Sequence, residues 1–129
     1  MKRRIALLCL AASGGLQGCS IFSPIPLWEL SKATAAAGAK LLIRERILTE
    51  GEQDARTEFE VELAGEGSGA DIVSRAVARG KSHQEYTSTI IGNAPCTGHS
   101  ECDAIIDGEA TVDAAPKLCA HHGDAALIH

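Results

Sequence analysis

An all-β chain is what the sequence predicts, and three observations carry that expectation. Between Ala39 and the C-terminus, runs of about six to ten residues with strand character are separated by glycine-rich punctuation. One run alternates cleanly: Thr57, Phe59, Val61 and Leu63 fall on one side and Glu58, Glu60 and Glu62 on the other, the period of a half-buried strand. No stretch after Gly38 has the length and period of an amphipathic helix, which disfavours a βαβ layout.

Taken in order, residues 1–26 form a first region. A basic start, a short apolar run and Leu16-Gln17-Gly18-Cys19 resemble a bacterial lipoprotein signal with Cys19 as the acylated residue. The run is too short for a transmembrane helix, and the segment is expected to be irregular or helical. Pro24 and Pro26 mark a break, and residues 27–129 form the body. Leu27 to Leu30 is a short apolar segment around Trp28, and the alanine-rich Ser31 to Gly38 reads as one or two helical turns. The strand-like runs then follow at Lys40–Thr49, Arg56–Ala64, Ala70–Ala78, His83–Ile91, Ser100–Asp107, Thr111–Ala114 and Ala125–His129. The three glutamates on one face of the second run need water. Leu41-Leu42-Ile43 and Ile90-Ile91 suit strands covered on both sides.

Glycine phrases recur ahead of the strands, at Gly38-Ala39, Gly65 to Ala70 and Gly108 to Ala110. They make a loose internal repeat of the kind successive solenoid rungs produce. Asp107-Gly108 and Gly92-Asn93 would equally serve the hairpins of a sandwich, so pattern alone leaves both architectures open. With two Phe, one Tyr and one Trp, any core must be built from Ala, Val, Ile and Leu, which suits a narrow stacked interior.

Composition removes several functions. The net charge is -5 and no Lys/Arg cluster follows the first few residues, so a phosphate-binding surface and hence nucleic acid are excluded. Five cysteines at irregular spacing do not form a disulfide framework. Cys96, Cys102 and Cys119 lie near His99, His121, His122 and His129, which fits a reducing compartment and soft-metal chemistry. No glycine-rich phosphate loop with a following lysine and no Ser/His/Asp set stands out, so no enzymatic activity is expected.

The sharpest constellation is Cys96, His99 and Cys102, a C-x2-H-x2-C arrangement placed on a turn and strand end, where Gly98 would let the segment fold around zinc or an iron–sulfur cluster. A fourth ligand would come from Cys119, His121 or His122, one rung further along. Against this, Cys102 also reads as a small hydrophobe in a narrow core, Cys96 as an inert turn residue after Pro95, and His121-His122 as a solvated turn. His83 stands alone and reads as a surface residue, and Glu109 and Asp113 could serve as carboxylate neighbours, with no paired-carboxylate geometry to be read from one strand and a turn.

Five phrases carry a resemblance to a known family: Ser74-Arg75-Ala76, Ile91 to Pro95, Gly98 to Asp103, Pro116-Lys117-Leu118, and Asp124 to His129. Over roughly Trp28 to His129 the chain resembles the SufB/SufD family, the scaffold proteins of iron–sulfur cluster assembly, and is closer to the SufD-like branch. The resemblance implies a right-handed parallel β-helix, of which residues 27–129 would be a truncated core, with the family's docking helices beyond residue 129. It implies a transient iron–sulfur cluster, a SufB-like subunit and a SufC-type ATPase as partners, and a cytoplasmic location away from the membrane. The functional histidine of the SufD motif falls on His129, Cys102 matches the cysteine of a Glu/Gln-Cys-Asp phrase, and the SufB nucleating thiol maps near Ala120, one position from Cys119. The candidate cluster or metal ligands are therefore His129, Cys102, Cys96, His99 and Cys119. Two other readings stand beside this one: a lipid-anchored, β-rich protein of the bacterial envelope, and a structural zinc-binding module.

Overall fold

The computed structural model describes the backbone of residues 6–12, 15–21 and 27–129, and side chains for residues 30–129. The basic start at Lys2 to Arg4 and the Pro24/Pro26 break lie outside the described residues. Every described element is a strand: β1 (Ala6–Ala12), β2 (Gly15–Ile21), β3 (Leu27–Ala35), β4 (Lys40–Thr49), β5 (Asp54–Leu63), β6 (Ser68–Gly80), β7 (His83–Gly92), β8 (Cys96–Gly108), β9 (Thr111–Ala120) and β10 (Ala125–Ile128).

From β3 onward the strands alternate between two parallel sheets, which makes a β-solenoid of about four turns. Sheet A has the order β10-β8-β6-β4-β1-β2 and sheet B the order β3-β5-β7-β9. Asp54 pairs with His83 and His83 with Thr111, while Lys40 pairs with Gly69 and Ser68 with Cys96. One coil therefore takes 28 or 29 residues, and a side chain facing inward stacks on its counterpart in the next coil. Parallel pairing throughout the body excludes the sandwich, which needs hairpins.

Several corners of the solenoid are set by glycine. Gly51, Gly80 and Gly108 have φ of +66°, +72° and +85°, a region that an L side chain enters only with strain. They stack directly: Lys81 N donates to Gly51 O at 2.8 Å, and Glu109 N donates to Gly80 O at 2.7 Å. Gly38 and Gly67 occupy the opposite corner in the same left-handed conformation.

The core lies between the sheets and is narrow, as the scarcity of aromatics implied. Ile43, Ile72, Phe59, Val61, Leu63 and Ile90 are buried, with Val61, Ile90 and the half-buried Leu118 in one column through sheet B. Phe59 meets Tyr86 with ring centroids 6.1 Å apart in a tilted arrangement. Part of the interior is polar. Gln84 donates to Thr49 Oγ1 at 2.7 Å, and Thr49 Oγ1 donates to Ser82 Oγ at 2.9 Å, so these hydroxyls are satisfied out of water.

Four expectations need correction. Ser31 to Gly38 does not turn into a helix, because β3 pairs over its whole length with β5 and tertiary pairing overrides alanine's helix propensity. The described parts of residues 1–26 are neither irregular nor helical: β1 and β2 form an antiparallel hairpin, and β1 pairs antiparallel with β4. Strand β8 begins at Cys96 rather than Ser100, so the C-x2-H-x2-C segment lies within a strand and not on a turn. The run expected at Thr111–Ala114 likewise extends to Ala120, across Pro116. A proline is tolerated there because β9 is the outermost described strand of sheet B.

Candidate functional site: donors on the last coils

Strand alternation decides where the expected ligands point. Cys96, Gly98, Ser100 and Cys102 face the interior, whereas His99 faces out. Cys96 is 5% exposed and Cys102 half-buried. An extended backbone also holds two thiols six positions apart at about 20 Å. The segment therefore does not close around one ion. Cys119, in register with Ile91, lies on the outer face of the other sheet. The turn histidines are engaged locally: the imidazole Nδ1 of His121 is 2.9 Å from Asn93 Oδ1, and His122 Nδ1 accepts from Asp124 N at 3.1 Å. Asn93 in turn donates to Glu62 Oε1 at 2.8 Å. His83 is hydrogen-bonded to Thr111 Oγ1 at 2.8 Å, with Asp113 at 3.9 Å, and Glu109 lies 3.8 Å from Lys81 Nζ. Cys19 sits on β2 opposite Leu8, and its side chain lies outside the described residues. Among the described residues, no group of three or more His, Cys, Asp or Glu side chains is arranged to hold a metal ion.

His99 belongs instead to an ion-pair network on the outer face of sheet A. Its Nδ1 is 2.7 Å from Asp71 Oδ1 and its Nε2 is 3.5 Å from Glu101 Oε2. Asp71 also takes the Arg44 guanidinium. Burial pushes the Asp71 carboxyl upward, but the hydrogen bonds from His99 and Arg44 outweigh it and hold the group below the usual carboxylate range. Arg75, 2.7 Å from Glu101, holds that carboxyl low as well. Sequence reasoning missed these partners because the signal joining them is the coil period, which is legible only once the register is known.

Inside the coil the sequence reading also missed a polar column. Glu45, Ser74 and Cys102 are register partners on successive strands of sheet A. Ser74 Oγ–H donates to Glu45 Oε2, and Glu45 is 4% exposed. Burial pushes the Cys102 thiol up, opposed by its hydrogen bond with Ser74, so at neutral pH it is a protonated thiol. Ser88 and Ser100 hydroxyls, 2.6 Å apart, continue the polar lining toward Tyr86.

Of the expected donors, the backbone brings His129 close to two others, His99 and Cys102. Strand β10 covers β8 only from Cys96 to His99. His129 follows Ile128, the partner of His99, and so falls beside Ser100 with Cys102 two positions further along the same uncovered rung. From there to Gly108 the outer edge of β8 has no neighbouring strand among the described residues.

No family model matches the sequence, and the comparisons with curated proteins and with solved structures find no match either. Among the described residues, no helix is long and apolar enough to cross a membrane.

Proposed function

We propose that this chain is the solenoid body of an iron–sulfur cluster assembly scaffold, SufD-like in kind, working in the cytoplasm with a SufB-like subunit and a SufC-type ATPase. The cluster is cargo, built transiently at a site that two subunits share. This chain contributes His129 and Cys102 to that site. The observation that carries the reading is the parallel solenoid itself, in which β10 lies beside β8 and sets His129 on the same coil as His99 and Cys102. The resemblance of five phrases to the SufB/SufD family supports the same reading. A protonated, half-buried Cys102 suits transient loading, because an incoming iron must displace the proton before it binds.

The test is anaerobic reconstitution of the chain together with a SufB-like subunit, using ferrous iron and sulfide and reading thiolate-to-iron absorption. The pair is expected to take up iron, the chain alone is not, and Cys102→Ser with His129→Ala lowers uptake while Cys96→Ser leaves it unchanged. A double variant that loads like the wild-type pair overturns the assignment.

A further inference from the structure

The outer face of sheet A carries a second feature, independent of the cluster-assembly reading. Side chains of β4, β6 and β8 form rows along the solenoid axis, and one row is wholly apolar: Leu48, Val77 and Ile105. Leu48 is 36% exposed and Ile105 67%. The row beside it holds Arg46, Arg75 and Asp103. Together the two rows line a groove of about 630 Å³, a volume in the range of binding sites.

Charge tells what this groove accepts. Across the sheet three arginines are matched by acids one coil away: Arg44 by Asp71, Arg75 by Glu101 and Asp103, and Arg79 by Asp107. Arg46 breaks the pattern. It is exposed, its register neighbours are Leu7 and Arg75, and among the described residues it has no ion-pair partner. The groove thus offers an unmatched guanidinium beside an apolar row two positions along the strand, a spacing of about 7 Å. Alternate side chains of an extended peptide repeat at that same distance, so an apolar residue and a carboxylate at i and i+2 reach both features at once.

We propose that this groove docks an extended protein segment carrying an aliphatic or aromatic residue and a carboxylate two positions apart. A membrane surface is the poorer fit. The apolar row is three side chains long, and Asp103 and Asp107, with side chains 64% and 66% exposed, flank it and repel anionic lipid.

The probe is a fluorescein-labelled decapeptide with leucine and glutamate two positions apart, titrated by anisotropy against the full chain. Two reference peptides replace glutamate with lysine or leucine with serine. The Leu/Glu peptide is expected to bind at least tenfold tighter than either reference. Arg46→Glu and Ile105→Lys should each abolish the preference, whereas Lys117→Glu, the same charge change on the exposed face of sheet B, should retain it. Circular dichroism confirms that each variant is folded. Equal binding of the three peptides, an Arg46→Glu variant that binds like wild type, or binding to anionic vesicles in preference to the peptide overturns the proposal.

Discussion

Replacing Gly80 with alanine tests how the coils stack, and the structure supplies an internal control. Gly51 and Gly80 belong to one ladder and share the same left-handed backbone, with φ of +66° and +72°. A Cβ at Gly51 meets nothing within 4 Å, so Gly51→Ala carries only the conformational cost, about 1–2 kcal/mol. A Cβ at Gly80 meets Gly51 N, O and Cα at 3.1, 3.2 and 3.3 Å, and these are backbone atoms that cannot swing aside. That crowding adds on the order of 1–2 kcal/mol, typical of inserting a methyl into packed structure. Gly80→Ala is therefore expected to cost about 2–4 kcal/mol. With a urea m value near 2 kcal/mol/M, its midpoint should fall about 0.5–1 M below that of Gly51→Ala. Equilibrium urea unfolding of both variants, followed by circular dichroism, measures the gap. Equal midpoints refute the reasoning, because they would mean that the corner is not held by direct contact between rungs.

Among the cysteines with described side chains, alkylation by iodoacetamide at neutral pH, mapped by mass spectrometry, should modify Cys119 first and Cys102 more slowly, with Cys96 protected until unfolding; early labelling of Cys96 contradicts its inward placement. The Asp71 carboxyl is held below its unfolded value of 3.8, so its contribution is present above that pH and is lost as the pH falls through the lower folded value. The stability gap between wild type and Asp71→Asn should accordingly hold at higher pH and narrow as the pH falls below 3.8, and should be smaller in high salt because the side chain is 37% exposed. A gap independent of pH argues against the His99–Asp71–Arg44 network.

The strands were legible wherever a single face is buried. Thr57 to Leu63 announced β5 by its period, and four of its alternate residues, Thr57, Phe59, Val61 and Leu63, are indeed in the core. The glycine phrases announced coil corners. What the period could not show was length: Cys96 and His99 sit in β8 because Gly67, Ser68 and Gly69 give that strand a backbone partner one coil earlier, a contact separated by 28 positions in sequence. The same blindness to long offsets led to the expectation of a helix at Ser31 to Gly38, where pairing with β5 decides the outcome. It also hid the Glu45–Ser74 pair, since neither residue type signals burial by itself.

Between β5 and β6 the chain uses residues 64–67, but the equivalent corner between β7 and β8 uses only 93–95. Neighbouring strands nonetheless keep matched faces on both sides of that shortening. Corners are thus the places where this backbone absorbs an inserted or deleted residue. A residue gained inside a strand would instead invert every side chain after it, sending core to water and charge to core. Divergence in length among chains of this design should therefore gather at the bends, and peptide tags or reporter loops engineered into the molecule belong there.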